Sequence, residues 1–72
     1  MKIERELGDK REEALTFANI GKIQQTQGDY EKAMDFYGSA LEIAREIGDK
    51  HTMEGVLEDI EDLKKDLARG KV

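Results

Sequence analysis

The chain lacks cysteine, proline and tryptophan, has one histidine, and holds only two tyrosines and two phenylalanines among 72 residues. Without cysteine there is no disulfide and no thiolate zinc site. Without proline nothing fixes a break inside a helix. No apolar run approaches the ~20 residues that a membrane span needs. Cations are also short. Lys and Arg number 12 against 17 Asp and Glu, a net charge of −5, and binding to nucleic acid rests on cation–phosphate contacts. Met1 to Lys10 carries charges of both signs without an apolar stretch, so it does not read as a secretory signal. What is present is 40% charged and 38% hydrophobic residues. A chain of this size buries only about 60% of its unfolded surface. The composition predicts one small cytoplasmic domain that contacts neither membrane nor nucleic acid.

Gly-Asp occurs at Gly8-Asp9, Gly28-Asp29 and Gly48-Asp49, 20 residues apart each time. Glycine enters the left-handed conformation that ends a helix, and aspartate caps the free N–H groups of the next one. Each pair therefore reads as a stop followed by a start. The spacing predicts an all-α fold with three main helices near 10–27, 30–47 and 50–68, and a short helical stub before them. A longer period lies over the shorter one. Glu4 to Lys10 closely matches Ala44 to Lys50 at an offset of 40 residues, which also aligns Phe17 with Leu57, Ile20 with Ile60 and Asn19 with Asp59. Repetition on this scale marks a solenoid of helix pairs.

Phe17, Ile20, Gly21, Gly28-Asp29-Tyr30, Ala33, Tyr37 and Ala40 stand at the spacings of a tetratricopeptide repeat. The chain resembles the long, roughly 40-residue variant of that family. Gln24 replaces the usual tyrosine, and Arg45 replaces the proline that often closes a unit. The resemblance implies an antiparallel helix-turn-helix solenoid. Residues 1–8 would be the stub of a preceding repeat, 10–47 one full repeat, and 50–68 a capping helix. The third helix carries one apolar line, Met53, Val56, Leu57, Ile60, Leu63 and Leu67, with charge elsewhere. Gly21 and Ala33 are small enough to let two helix backbones approach.

In the family a groove is lined mainly by the first helix of each unit. By the resemblance, Leu15, Ala18, Asn19, Lys22, Gln25 and Thr26 face it. Asn19-Ile20-Gly21 matches the Asn-Leu-Gly of relatives that clamp the main chain of an extended peptide, and an amide supplies both donor and acceptor. Glu54, Glu58, Asp62 and Asp66 form an acidic row, each four apart. Like charges at that spacing repel, so the row opposes folding, and Glu58 and Asp62 join the candidate site as a landing strip for a basic peptide. His51 has no implied base, acid or ligand partner. No catalytic residue, metal or cofactor is expected.

These residues imply a protein-interaction module that binds an extended peptide or a partner protein, a basic one favoured. The alternative is self-assembly: a homodimer, domain-swapped or not, or a fragment of a longer array without its own activity. With only Met1 to Leu7 ahead of the first helix, Leu15 and Ala18 would be left exposed, and an exposed apolar patch marks an interaction surface. The isolated chain is therefore expected to self-associate.

Overall fold

The computed structural model describes the backbone of residues 2–69 and the side chains of residues 9–69. These residues form three helices, α1 (Lys2–Thr26), α2 (Tyr30–Ile47) and α3 (Lys50–Ala68). Two of the Gly-Asp pairs act as expected. Gly28 and Gly48 take φ values of 88° and 69°, and the Asp29 and Asp49 carboxylates accept from the backbone N–H of Lys32 and Thr52. At each corner the chain closes the preceding helix with its own amides: Asp29 N–H donates to Gln24 O at 2.9 Å, and Asp49 N–H to Ala44 O at 2.9 Å. This is the double-bonded glycine stop.

The first pair does not act as expected. Helix α1 runs unbroken through Gly8-Asp9, so the helix begins at Lys2 rather than near residue 10, and the stub is continuous with it. A left-handed glycine is permissive, not compulsory. Reversing the chain breaks helical hydrogen bonds, and packing of the reversed segment must offset them. Behind Gly28 and Gly48 a whole helix folds back. At Gly8 the helical hydrogen bonds are kept instead, and a lone glycine inside a helix costs only about 1 kcal/mol. The cover expected from Ile3 and Leu7 lies outside the described residues.

The core is built from small residues around one large ring. Ala14, Ala33, Ala40 and Ala44 are fully buried, as is Leu63, with Tyr37 at 1% exposure. Gly21 explains how α1 and α2 come so close. A Cβ there would stand 2.7 Å from Tyr37 Cε1, 2.8 Å from Cδ1 and 3.3 Å from the Ala33 carbonyl. The Tyr37 ring fills the space that any side chain at residue 21 would need. On the flank away from α3, Phe17 and Phe36 stack with centroids 6.0 Å apart.

Helix α3 docks by a stripe rotated from the expected apolar line. Thr52, Val56 and Leu63 are buried, and Asp59 and Asp66 are partly buried beside them. The spacing from Thr52 to Asp66 is four, three, four, three. Leu57 and Leu67, expected on the docked line, stay 47% and 48% exposed. The apolar residues span too wide an arc for one contact, so their far edge stays open. Glu61 is exposed on the open side.

Gly21→Ala should destabilise the fold by about 1–3 kcal/mol through overpacking, although alanine is the better helix former. Gly38→Ala, where a Cβ meets nothing within 4 Å, should stabilise it by about 0.5–1 kcal/mol. Urea titrations of both variants check the pair. Equal shifts in the same direction would mean that the crossing is looser than the Tyr37 contact indicates.

Candidate functional site

Helices α1 and α3 run in the same direction, and side-chain contacts tie them along their length. Arg11 Nε donates to Asp49 Oδ2 at 2.8 Å near one end. Lys22 Nζ lies 3.8 Å from Asp59 Oδ1 in the middle. Gln25 Nε2 donates to Asp66 Oδ2 at 2.8 Å near the other end. Asp49 serves three partners. It accepts from the Thr52 hydroxyl at 2.6 Å as well as from Arg11. The Thr52 hydroxyl, then the Thr52 amide and Arg11, hold its carboxyl below the usual value.

A groove opens between these ties. One part, a cavity of about 410 Å³, is lined by Leu15, Ala18, Asn19 and Lys22 from α1 and by Val56, Glu58 and others from α3. The other part, about 340 Å³, is lined by Lys22, Gln25, Thr26, Tyr37 and three aspartates, Asp59, Asp62 and Asp66. All eight residues expected at the site therefore line one or other of these two parts, which meet at Lys22 and Asp59. Their availability differs. Asn19, Lys22, Glu58 and Asp62 are exposed. Leu15 is 47% exposed, but Ala18 is buried at 6%. The open patch expected at Leu15 and Ala18 is thus reduced to Leu15, because α3 covers Ala18. Thr26 donates to the Lys22 carbonyl within its own helix.

Gln25 is occupied by the protein itself. Its Oε1 accepts from the Tyr37 hydroxyl at 2.8 Å while its amide donates to Asp66. One side chain thereby links α2, α1 and α3. A buried phenol needs such a partner, since an unpaired one loses its hydration. Burial, then Asp59, Asp62 and Asp66, push the Tyr37 hydroxyl up to about 12. It stays protonated and remains a donor.

Charge in the cleft is unbalanced. Lys22 faces Asp59, and Asp66 meets Gln25 and, at 3.5 Å, Arg69. Glu58 and Asp62 have no ion-pair partner among the described residues. Burial raises the Asp59 carboxyl above its ordinary value, and Asp62 and Glu58 add to this, against the lowering pull of Lys22. Asp59, Asp66, Tyr37, Gly55, Val56, Thr52 and His51 complete the lining but were not among the residues expected there. The four-three spacing from Thr52 to Asp66 is the signal that would have found the aspartates. The 40-residue offset, which sets Gly55 opposite Leu15, is the one that would have found the glycine.

No curated protein and no solved structure matches the chain. The tetratricopeptide repeat family model matches residues 1–46, and no helix of the described residues is long and apolar enough to cross a membrane.

Asp59→Asn should raise the melting temperature at neutral pH. The folded-state value of Asp59 is raised, so ionising it opposes folding. That cost is complete above the folded-state value and fades as pH falls through it. The advantage of the variant should therefore shrink in acid. Melting curves across a pH series measure it; an advantage that grew in acid would mean that the Lys22 pair outweighs burial. With its helix pairs, its glycine stops and a model match over most of its length, the chain belongs to the tetratricopeptide repeat family, whose repeats are typically non-enzymatic scaffolds for protein–protein interaction.

Proposed function

We propose that the chain is a peptide-binding module whose ligand is an extended, basic segment lying in the α1–α3 cleft. The observation that carries this reading is the pairing of an exposed Asn19 on one wall with uncompensated Glu58 and Asp62 on the other. Asn19 offers a donor and an acceptor to a main chain, and the acidic wall draws cations. The groove is short, so affinity should be micromolar or weaker. Rising salt should weaken it further, because exposed charges are screened within about 8–10 Å. Asn19→Ala should reduce binding of a lysine-rich peptide about two- to tenfold, the loss of one hydrogen bond at about 0.5–1.5 kcal/mol, and leave helicity unchanged. Calorimetry on both proteins at two salt concentrations decides it. Salt-independent binding, or equal preference for acidic peptides, contradicts the electrostatic part; unchanged affinity in the variant contradicts the main-chain clamp.

Self-assembly is the second reading. Four large apolar side chains favour it: Leu15, Ile23, Leu57 and Leu67 are each 47–54% exposed. Leu57 and Leu67 share the open edge of α3, and two copies could bury that edge about a two-fold axis. Light scattering after size exclusion should show a mass rising with concentration. A species of constant 8.2 kDa at hundreds of micromolar, with a melt independent of concentration, would refute it.

A further inference from the structure

We infer that the cleft selects a peptide in which an apolar side chain and a lysine or arginine stand two or four residues apart, on one face of an extended strand, the first seated beside Gly55 and the second at Asp62. This rests on the reading of the α1–α3 cleft as a peptide site and goes on to name the side chains that the ligand must carry.

The two parts of the cleft differ in chemistry. Around Gly55 the lining includes the apolar Leu15, Ala18 and Val56 beside the polar Asn19, His51, Thr52 and Glu58. A Cβ at Gly55 would meet nothing within 4 Å, so the missing side chain leaves a notch in the α3 wall. At the 40-residue offset Gly55 stands where α1 has Leu15. A leucine there would fill the notch. Its absence leaves Leu15 with about half its surface uncovered, a contact for an apolar group of the ligand. Farther along, Asp59, Asp62 and Asp66 meet a single lysine, Lys22. Asp59 is engaged by Lys22 and Asp66 by Gln25 and Arg69. Asp62 is exposed and has no ion-pair partner among the described residues, so a cation placed there gains an open carboxylate with two more beside it.

The spacing follows from the helices. The lining moves from residues 15–22 to 22–26 on α1 and from 51–59 to 59–66 on α3. That is a displacement of about six or seven helical positions, or roughly 10 Å at 1.5 Å per residue. An extended peptide covers it in about three residues at ~3.3 Å each, and because its side chains alternate between faces, two that both turn toward α3 stand an even number apart, two or four.

The test uses the full chain and labelled peptides in a glycine-serine background, read by fluorescence anisotropy. Peptides with Leu and Lys two or four residues apart, in either order, should bind tightest. Replacing Leu by Ser, replacing Lys by Glu, or widening the spacing to seven should each weaken binding about fivefold or more. Gly55→Leu should fill the notch and weaken the Leu-containing peptide about tenfold, while its melting temperature holds or rises because leucine is the better helix former. Asp62→Asn should erase the preference for Lys over Glu. Undiminished binding by Gly55→Leu, or indifference to spacing, overturns the inference. If such indifferent peptides still lose affinity with Asn19→Ala, the cleft remains a peptide site without this selectivity. If no peptide binds at millimolar concentration, the inference and the peptide reading fall together.

Discussion

The contact between Gly21 and the Tyr37 ring sets the distance between α1 and α2, and the rest of the arrangement depends on that distance. The ring occupies the volume of the Cβ that Gly21 lacks, which brings its hydroxyl within reach of Gln25, one turn farther along α1. Gln25 then has one orientation that satisfies both neighbours. Its oxygen must face the phenol and its amide must face Asp66. A carboxylate can only accept, and a phenol held protonated by burial is free to donate. The relay fixes α3 in register against α1 as well as α2 against α1. The cleft is the space left over once Arg11, Lys22 and Gln25 have each met their partners on α3.

The same relay explains why an acidic helix can dock at all. The docking stripe of α3 contains two aspartates, Asp59 and Asp66, where an all-apolar stripe would bury more surface. Hydrogen bonding and two ion pairs offset part of their desolvation, and exposure to the cleft limits the rest. Asp59 keeps a raised affinity for its proton all the same. The negative field is therefore held at some cost to stability. Natural folds tolerate such local costs at sites where a partner later compensates them.

Much of this was legible in the sequence. Gly28-Asp29 and Gly48-Asp49 set the bounds of α2 and α3, because at those points local geometry and the packing of the next helix agree. At Gly8-Asp9 they do not agree, and the dipeptide alone misleads. The face of α3 was legible in part: Val56 and Leu63 of the expected line are buried and Ile60 packs on the core, but Leu57 and Leu67 stay open. Hydrophobicity singled out Leu57 and Leu67, whereas the docked stripe is chosen by what α1 offers, and α1 offers Lys22 and Gln25. Polar residues that dock against polar partners carry no apolar signature. On α1 the groove positions followed from the family resemblance. That Gln25 is committed to Tyr37 and Asp66 depends on distances that no spacing encodes.

The 40-residue offset shows why the two walls of the cleft are not equivalent. Leu15, Ala18, Asn19, Lys22 and Thr26 on α1 correspond to Gly55, Glu58, Asp59, Asp62 and Asp66 on α3. One wall is apolar, neutral or cationic, and the other is notched and anionic. Two identical walls would offer a ligand no preferred side. Under the proposed reading, unequal walls would divide the work: α1 would present the amide of Asn19 and the side of Leu15, and α3 open carboxylates and an empty place. A ligand that turns its cation toward α3 leaves its main chain toward α1. Its orientation across the cleft then follows from electrostatics before any close contact is made.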